Sequence, residues 1–301
     1  MNTVTRNPVV SWLWKIPAIA ATYFIGVMIS GGVITAAKMQ WPAFPGSAGE
    51  TENLVISLIG SILMAACLAL LASGIRGSQF ARWLILAIFT YVTFGLNTQI
   101  EAAIFTTYGG TATMLLFFIL PCAFGAAAAV RLFQPEQPEV SLQPVMSSQP
   151  VSTWWWRVVV VWLAFPVIYI FFGMLAAPFV VPVYETQDFG LNLPGFETMI
   201  PVALVRSALY LAVTIPIMVN WSKSRRSLFL SLAVAFFAMM GLIGLLSATF
   251  FPSVLRITHT IEILGDALVY AWLLLALLVP KQKIEQAERI PEIGAETGAS
   301  N

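Results

Sequence analysis

Six ionisable residues fall inside long apolar runs or at their mouths: Glu101, Arg206, Arg256, His259, Glu262 and Asp266. Charge is costly in hydrocarbon, so such groups turn towards protein or water and are the first candidates for function in an apolar chain. Arg256, His259, Glu262 and Asp266 follow one another at steps of three, three and four, and Tyr270 continues the series. On a helix those steps stay on one face, which makes a continuous polar stripe that lipid would not tolerate. The same arithmetic puts Thr90, Asn97, Glu101 and Tyr108 on one face, and sets Tyr210 one turn after Arg206.

With His259 neutral, this set holds three carboxylates against two arginines, so one carboxylate is left over to take up a proton or a cation. His259, three residues before Glu262, could relay that proton or offer a ligand nitrogen. A single histidine argues against a zinc or di-iron centre of the usual kind. Together with Glu101, Glu262 and Asp266 it could still hold an oxygen-preferring cation, so metal binding stays open. The plainer alternative is that Arg206 pairs with the acids only to lock helices together. No Walker loop, G-x-S-x-G elbow, H-E-x-x-H or cysteine-rich metal spacing occurs, and no organic cofactor is implied. Cys67 and Cys122 lie in apolar runs and read as packing residues.

These side chains need elements to position them, and the composition says which. The chain has 301 residues, 59% hydrophobic and 10% charged, against about 25% charged in an ordinary soluble domain. Fifteen Lys and Arg nearly balance fourteen Asp and Glu, so nothing calls for nucleic acid. Eight apolar runs are long enough to cross a bilayer as helices: 14–37, 53–74, 82–106, 110–131, 155–180, 198–220, 227–250 and 256–280. Backbone groups in lipid must be satisfied within their own segment, which excludes strands here. The expected fold is an all-α, polytopic membrane bundle. Residues 106–110 make the tightest turn. The first run, with Arg6 and Lys15 before its core and small residues at Thr35-Ala36-Ala37, could serve as a cleaved signal. It exceeds the roughly 7–15 apolar residues of a signal core, so retention is expected.

Twelve of the fifteen Lys and Arg fall in the even-numbered loops and at both termini. The opposite side carries Lys38 and Arg256 with Glu50, Glu52, Glu185, Asp188 and Glu197. By the positive-inside rule both termini are cytoplasmic, in a bacterial-type inner membrane. Trp12, Trp14, Trp83, Trp154, Trp155, Trp156 and Trp221 are expected at the inner interface. In this orientation the rise per residue puts Glu101 about 8 Å below the outer surface, Arg206 about 12 Å, Glu262 about 9 Å and Asp266 about 15 Å. Matching depth suggests one cluster in the outer half.

Residues 134–152, rich in Pro and Gln, read as a cytoplasmic linker between a first four-helix half, 1–133, and a second, 153–280; a polar cytoplasmic tail, 281–301, follows. Each half opens on a similar phrase, Ser11-Trp12-Leu13-Trp14-Lys15 and Thr153-Trp154-Trp155-Trp156-Arg157, so a four-plus-four parallel repeat is one reading. Gly26 with Ser30, Ser57 with Ser61, Gly241 near Gly244, and Gly125 to Ala129 have the spacing of close helix packing. Pro121, Pro166 and Pro216 are expected to bend their spans.

The leading expectation is a transporter or permease-like protein that binds a small solute, cation or proton at Glu101, Arg206, His259, Glu262 and Asp266. Asn97, Tyr210, Arg256 and Tyr270 would support them. The alternatives are a membrane-embedded enzyme using Glu101, His259 and Glu262 as acid/base groups or ligands, and a non-catalytic subunit or sensor. The expected surroundings are the lipid bilayer, a small solute or ion, and for the last reading a protein partner or a second copy of the chain.

Overall fold

The computed structural model describes residues 8–45, 50–134, 151–186 and 188–279. Most of the proposed linker 134–152 and all of the tail 281–301 lie outside them. Among the described residues, eight helices are long and apolar enough to cross a membrane. They are α1 (Pro8–Ala36), α2 (Glu50–Ala72), α3 (Gln79–Phe105), α4 (Ala112–Leu132), α5 (Val151–Glu185), α6 (Phe196–Val219), α7 (Arg225–Ser247) and α8 (Ser253–Leu278). No strand occurs among the described residues, only isolated bridges.

The limits of the helices follow from local chemistry. The Ser78, Thr111 and Ser224 hydroxyls accept from the backbone N–H three residues on, capping α3, α4 and α7. The connection between α3 and α4 runs through Gly110, whose φ of 72° is the left-handed conformation that glycine adopts without strain. α5 runs past the expected end at 180 to Glu185, with Pro178 and Pro182 inside it.

Two prolines inside helices have a specific consequence. A proline leaves the carbonyl four residues earlier without its helical donor. Pro121 does this to Phe117 O, which accepts the Ser30 hydroxyl of α1 at 2.6 Å. Pro166 does it to Trp162 O, which accepts the Ser207 hydroxyl of α6 at 2.8 Å. Neighbouring helices thus satisfy the freed groups and are tied together by them. Gly26, one turn before Ser30, lets α1 lie on α4: a Cβ there would stand 2.8 Å from Pro121 Cα.

α1 and α3 pack on α4, and α5 and α7 pack on α8. Where α2 leads into α3 and α6 into α7, the chain segments pair reciprocally. Arg76 N donates to Asn220 O and Ser222 N to Gly74 O, both at 2.8 Å. Trp221 fills the notch left by Gly74 and is fully buried, whereas Trp14, Trp155 and Trp156 are exposed. Along α3 and α7 the ladder widens to i→i+5 bonding, at Tyr91–Leu96 and Ala238–Leu242.

A buried aromatic layer of Phe165, Tyr210, Phe236 and Tyr270 crosses the middle of the second half, with ring centroids 5.1–6.5 Å apart. Large apolar side chains cover the outside of the bundle. On α8, Ile257, Ile261 and Trp272 are exposed while Asp266 and Tyr270 on the opposite face are buried. That inverted surface is the expected arrangement for a bundle surrounded by hydrocarbon.

Candidate functional site

Arg206 comes from the middle of α6 and is only 3% exposed. Its Nη2 lies 2.6 Å from Glu101 Oε1 on α3. Its Nε donates to Asn97 Oδ1 at 2.9 Å and to the Tyr210 hydroxyl at 3.3 Å. The Tyr210 hydroxyl in turn donates to Asn97 Oδ1, and Asn97 Nδ2 donates to Met240 O at 3.2 Å. Met240 sits in the widened turn of α7, where i→i+5 bonding loosens the ladder enough for an outside donor. The guanidinium also stands 5.0 Å from the ring centre of Tyr169 and 5.7 Å from that of Phe165, both on α5. Carboxylate, amide, phenol and aromatic faces together replace the water that the buried cation has lost.

The second cluster belongs to α8. His259 Nδ1 lies 2.5 Å from Glu262 Oε2, on the same helical face three residues apart. The contact fixes the imidazole ring and leaves its Nε2 for another partner. Glu262 has room because α5 presents Gly173, where a Cβ would lie 3.4 Å from Oε1.

Both clusters border one cavity of about 690 Å³. Glu101, His259 and Glu262 line it, together with Tyr169 and Tyr184 of α5. From α2 it takes Ser57, Gly60 and Ser61, and from α1 Tyr23. At one end Phe44, Tyr108, Leu191 and Phe250 border it, from the connections after α1, α3, α5 and α7 respectively. That end is held together by pairing of two connections: Thr107 N donates to Gly190 O at 2.9 Å and Asn192 N to Phe105 O at 2.8 Å. Burial pushes the Tyr108 phenol up to about 12, so it lines the cavity as a neutral group.

The expected residues divide by position. Glu101, His259 and Glu262 reach the cavity; Arg206, Asn97 and Tyr210 stand behind it as the hydrogen-bonded support of Glu101. Asp266, one turn beyond Glu262, is 3% exposed and outside the lining, and its Oδ1 has no hydrogen-bond partner among the described residues. Tyr270 belongs to the aromatic layer. Arg256 makes no ion pair among the described residues, so the count of three acids against two arginines does not describe one cluster. Tyr108 follows the end of α3 and shares no helical face with Glu101. α8 packs on α5 and α7, and its Tyr270 ring lies 6.5 Å from the Tyr210 ring of α6. Sequence reasoning missed Tyr169, Tyr184 and Phe165, because aromatic residues within an apolar run carry no periodic signal of their own.

Among the described residues, no three His, Cys, Asp or Glu side chains are grouped so that they could hold a metal ion. Glu101, His259, Glu262 and Asp266 are therefore not arranged as a ligand set. Compared with protein-family models, with curated proteins and with solved structures, the chain matches none.

Proposed function

We propose that this chain is a multi-pass inner-membrane protein of transporter or permease type, which binds a small solute, cation or proton in its cavity from the outer side. The observation that carries the reading is that Glu101, His259 and Glu262, from two helices, line a single cavity of about 690 Å³. Binding sites for small molecules are concave, largely apolar and furnished with a few placed polar groups, with volumes of about 300–1,000 Å³. Ionisable residues retained within apolar spans and turned to such a cavity are what a solute path requires.

The direction follows from charge. The cavity ends among the connections after α1, α3, α5 and α7, the side poor in Lys and Arg. The positive-inside rule makes that side the outer one and puts both termini in the cytoplasm.

A parallel relation between the two four-helix halves supports the transport reading, because such repeats commonly frame a site between them. The displacement along the chain that carries Ile75 onto its bridge partner Trp221 also carries the cap Ser78 onto the cap Ser224. It carries Phe133 onto Val279, and each of these carbonyls accepts from an arginine, Arg82 and Arg225, although the displacement does not carry one arginine onto the other. It carries Tyr23 onto Tyr169, and both line the cavity.

The test is uptake by proteoliposomes containing the full chain, with a panel of small amines, amino acids, carboxylates and sugars as probes. Glu262→Gln abolishes uptake of the transported probe while the protein remains folded. The orienting contact between His259 and Glu262 favours a second reading, acid/base catalysis on a lipid-phase or outer-side substrate. An enzyme would form product in detergent, where no gradient exists, and would lose that activity on the same substitution. Normal behaviour of the variant in both assays would instead favour a subunit that acts through a partner.

A further inference from the structure

We infer that the solute is an amphiphilic organic cation, one positive charge on an apolar or aromatic body. The inference rests on the solute-binding reading above and narrows it. Charge sets the sign. Among the described residues, no Lys or Arg lines the cavity, whereas Glu101 and Glu262 do. Arg206 cannot greet an anion, because it is sealed behind Glu101 and already bonded to Asn97 and Tyr210. The Nδ1 contact of His259 is taken by Glu262, so the ring serves to orient that carboxylate.

The walls set the body. Tyr169 and Tyr184 stand by the carboxylates, and aromatic faces attract cations while they repel anions. Beyond them Phe94, Phe117, Phe118 and Ile56 carry the lining towards the first half, where α2 also supplies the uncharged polar side chains Asn53, Ser57 and Ser61. Among the described residues no three His, Cys, Asp or Glu side chains are grouped to hold a metal ion, which disfavours a multivalent inorganic cation as the solute. The volume suits a molecule of drug-like size. The charged groups are confined to one side of the cavity, contributed by α3 and α8, while α1 and α2 offer none. A ligand with a single positive charge on an apolar body meets that asymmetry; a dication with separated charges does not.

Tetraphenylphosphonium and tetraphenylborate have the same shape and opposite charge, so they separate charge from size without any substitution. Equilibrium dialysis against the full chain in nanodiscs, corrected with empty nanodiscs, reads saturable binding of each. The expected result is one saturable phosphonium site per chain and no saturable borate site. Glu262→Gln is expected to weaken the phosphonium by about tenfold or more, a change of about 1.4 kcal/mol for each factor of ten. Borate binding as tight as phosphonium binding, or phosphonium binding that ignores both Glu262→Gln and Glu101→Gln, overturns the inference. Saturable binding of sodium ion or of an uncharged sugar, without phosphonium, overturns it and leaves the solute-binding reading standing. Absence of saturable binding for all these probes also overturns the inference, while the solute-binding reading is decided separately by the uptake panel.

Discussion

Arg206 Nη2 stands 2.6 Å from Glu101 Oε1, yet the carboxylate side is 30% exposed in the cavity and the guanidinium side only 3%. The two partners therefore differ in what their loss leaves behind. Glu101→Leu strands a buried cation, and breaking a buried pair costs about 3–5 kcal/mol. Arg206→Met leaves a carboxylate that the cavity can hydrate and costs less. The double variant, an apolar pair of similar size, recovers part of the loss. Thermal unfolding midpoints in detergent should rank the wild type first, then Arg206→Met, then Glu101→Leu, with the double variant above Glu101→Leu.

The serine bonds to carbonyls freed by proline make a second prediction. Ser30→Ala leaves Phe117 O unsatisfied and should cost about 1 kcal/mol, the usual size of an interhelical hydrogen bond in membranes. Pro121→Ala restores a backbone donor to that carbonyl. In a double-mutant cycle Ser30→Ala should therefore be nearly harmless when Pro121 is Ala. Equal cost in both backgrounds would separate the serine from the proline.

A third prediction concerns the junction between the halves. A Cβ on Gly74 would fall 2.4–2.6 Å from three ring atoms of Trp221, a side chain with no room to move. Gly74→Ala should destabilise by about 1–3 kcal/mol through overpacking. Trp221→Leu, which shortens the intruding ring, should make Gly74→Ala less costly. Unfolding midpoints of the four proteins check it.

The charge segregation predicts topology. Reporter fusions after residues 78 and 224 should report cytoplasm, and those after 45 and 190 the outer side. A cytoplasmic report at 190 would reverse α5 and remove the basis for an outward cavity.

The eight helices were legible because roughly 20 consecutive apolar residues leave few structures other than a helix. The stripe on α8 was legible because helical phase needs only spacing, and Ile257 and Ile261 do face away from it. Phase said nothing about partners. Which acid meets Arg206 depends on how α3 and α6 cross, and whether Asp266 reaches the cavity depends on its position relative to the aromatic layer. On α3, helical counting from Thr90 to Tyr108 ignored the widened turn at Tyr91–Leu96 and the helix end at Phe105. Widened turns have no dependable sequence signature, so Met240 O as a partner for Asn97 was out of reach. Tyr169 and Tyr184 carry no helical-phase signal in the sequence, and only the packing of α5 brings them to the carboxylates.

Whether the cavity holding Glu262 is open to the outer side can be measured directly by cysteine accessibility. Thr98 lines the cavity, Thr107 is exposed at the same end, and Thr214 is fully buried. Each is replaced by Cys in a chain whose buried Cys67 and Cys122 have been changed to Ala. A membrane-impermeant methanethiosulfonate is then applied to right-side-out and inside-out vesicles. The account predicts that the Thr98→Cys and Thr107→Cys proteins react in right-side-out vesicles only, and that the Thr214→Cys protein reacts in neither. Reaction of Thr98→Cys only in inside-out vesicles, or its failure to react where Thr107→Cys does, would contradict an outward-facing solute site.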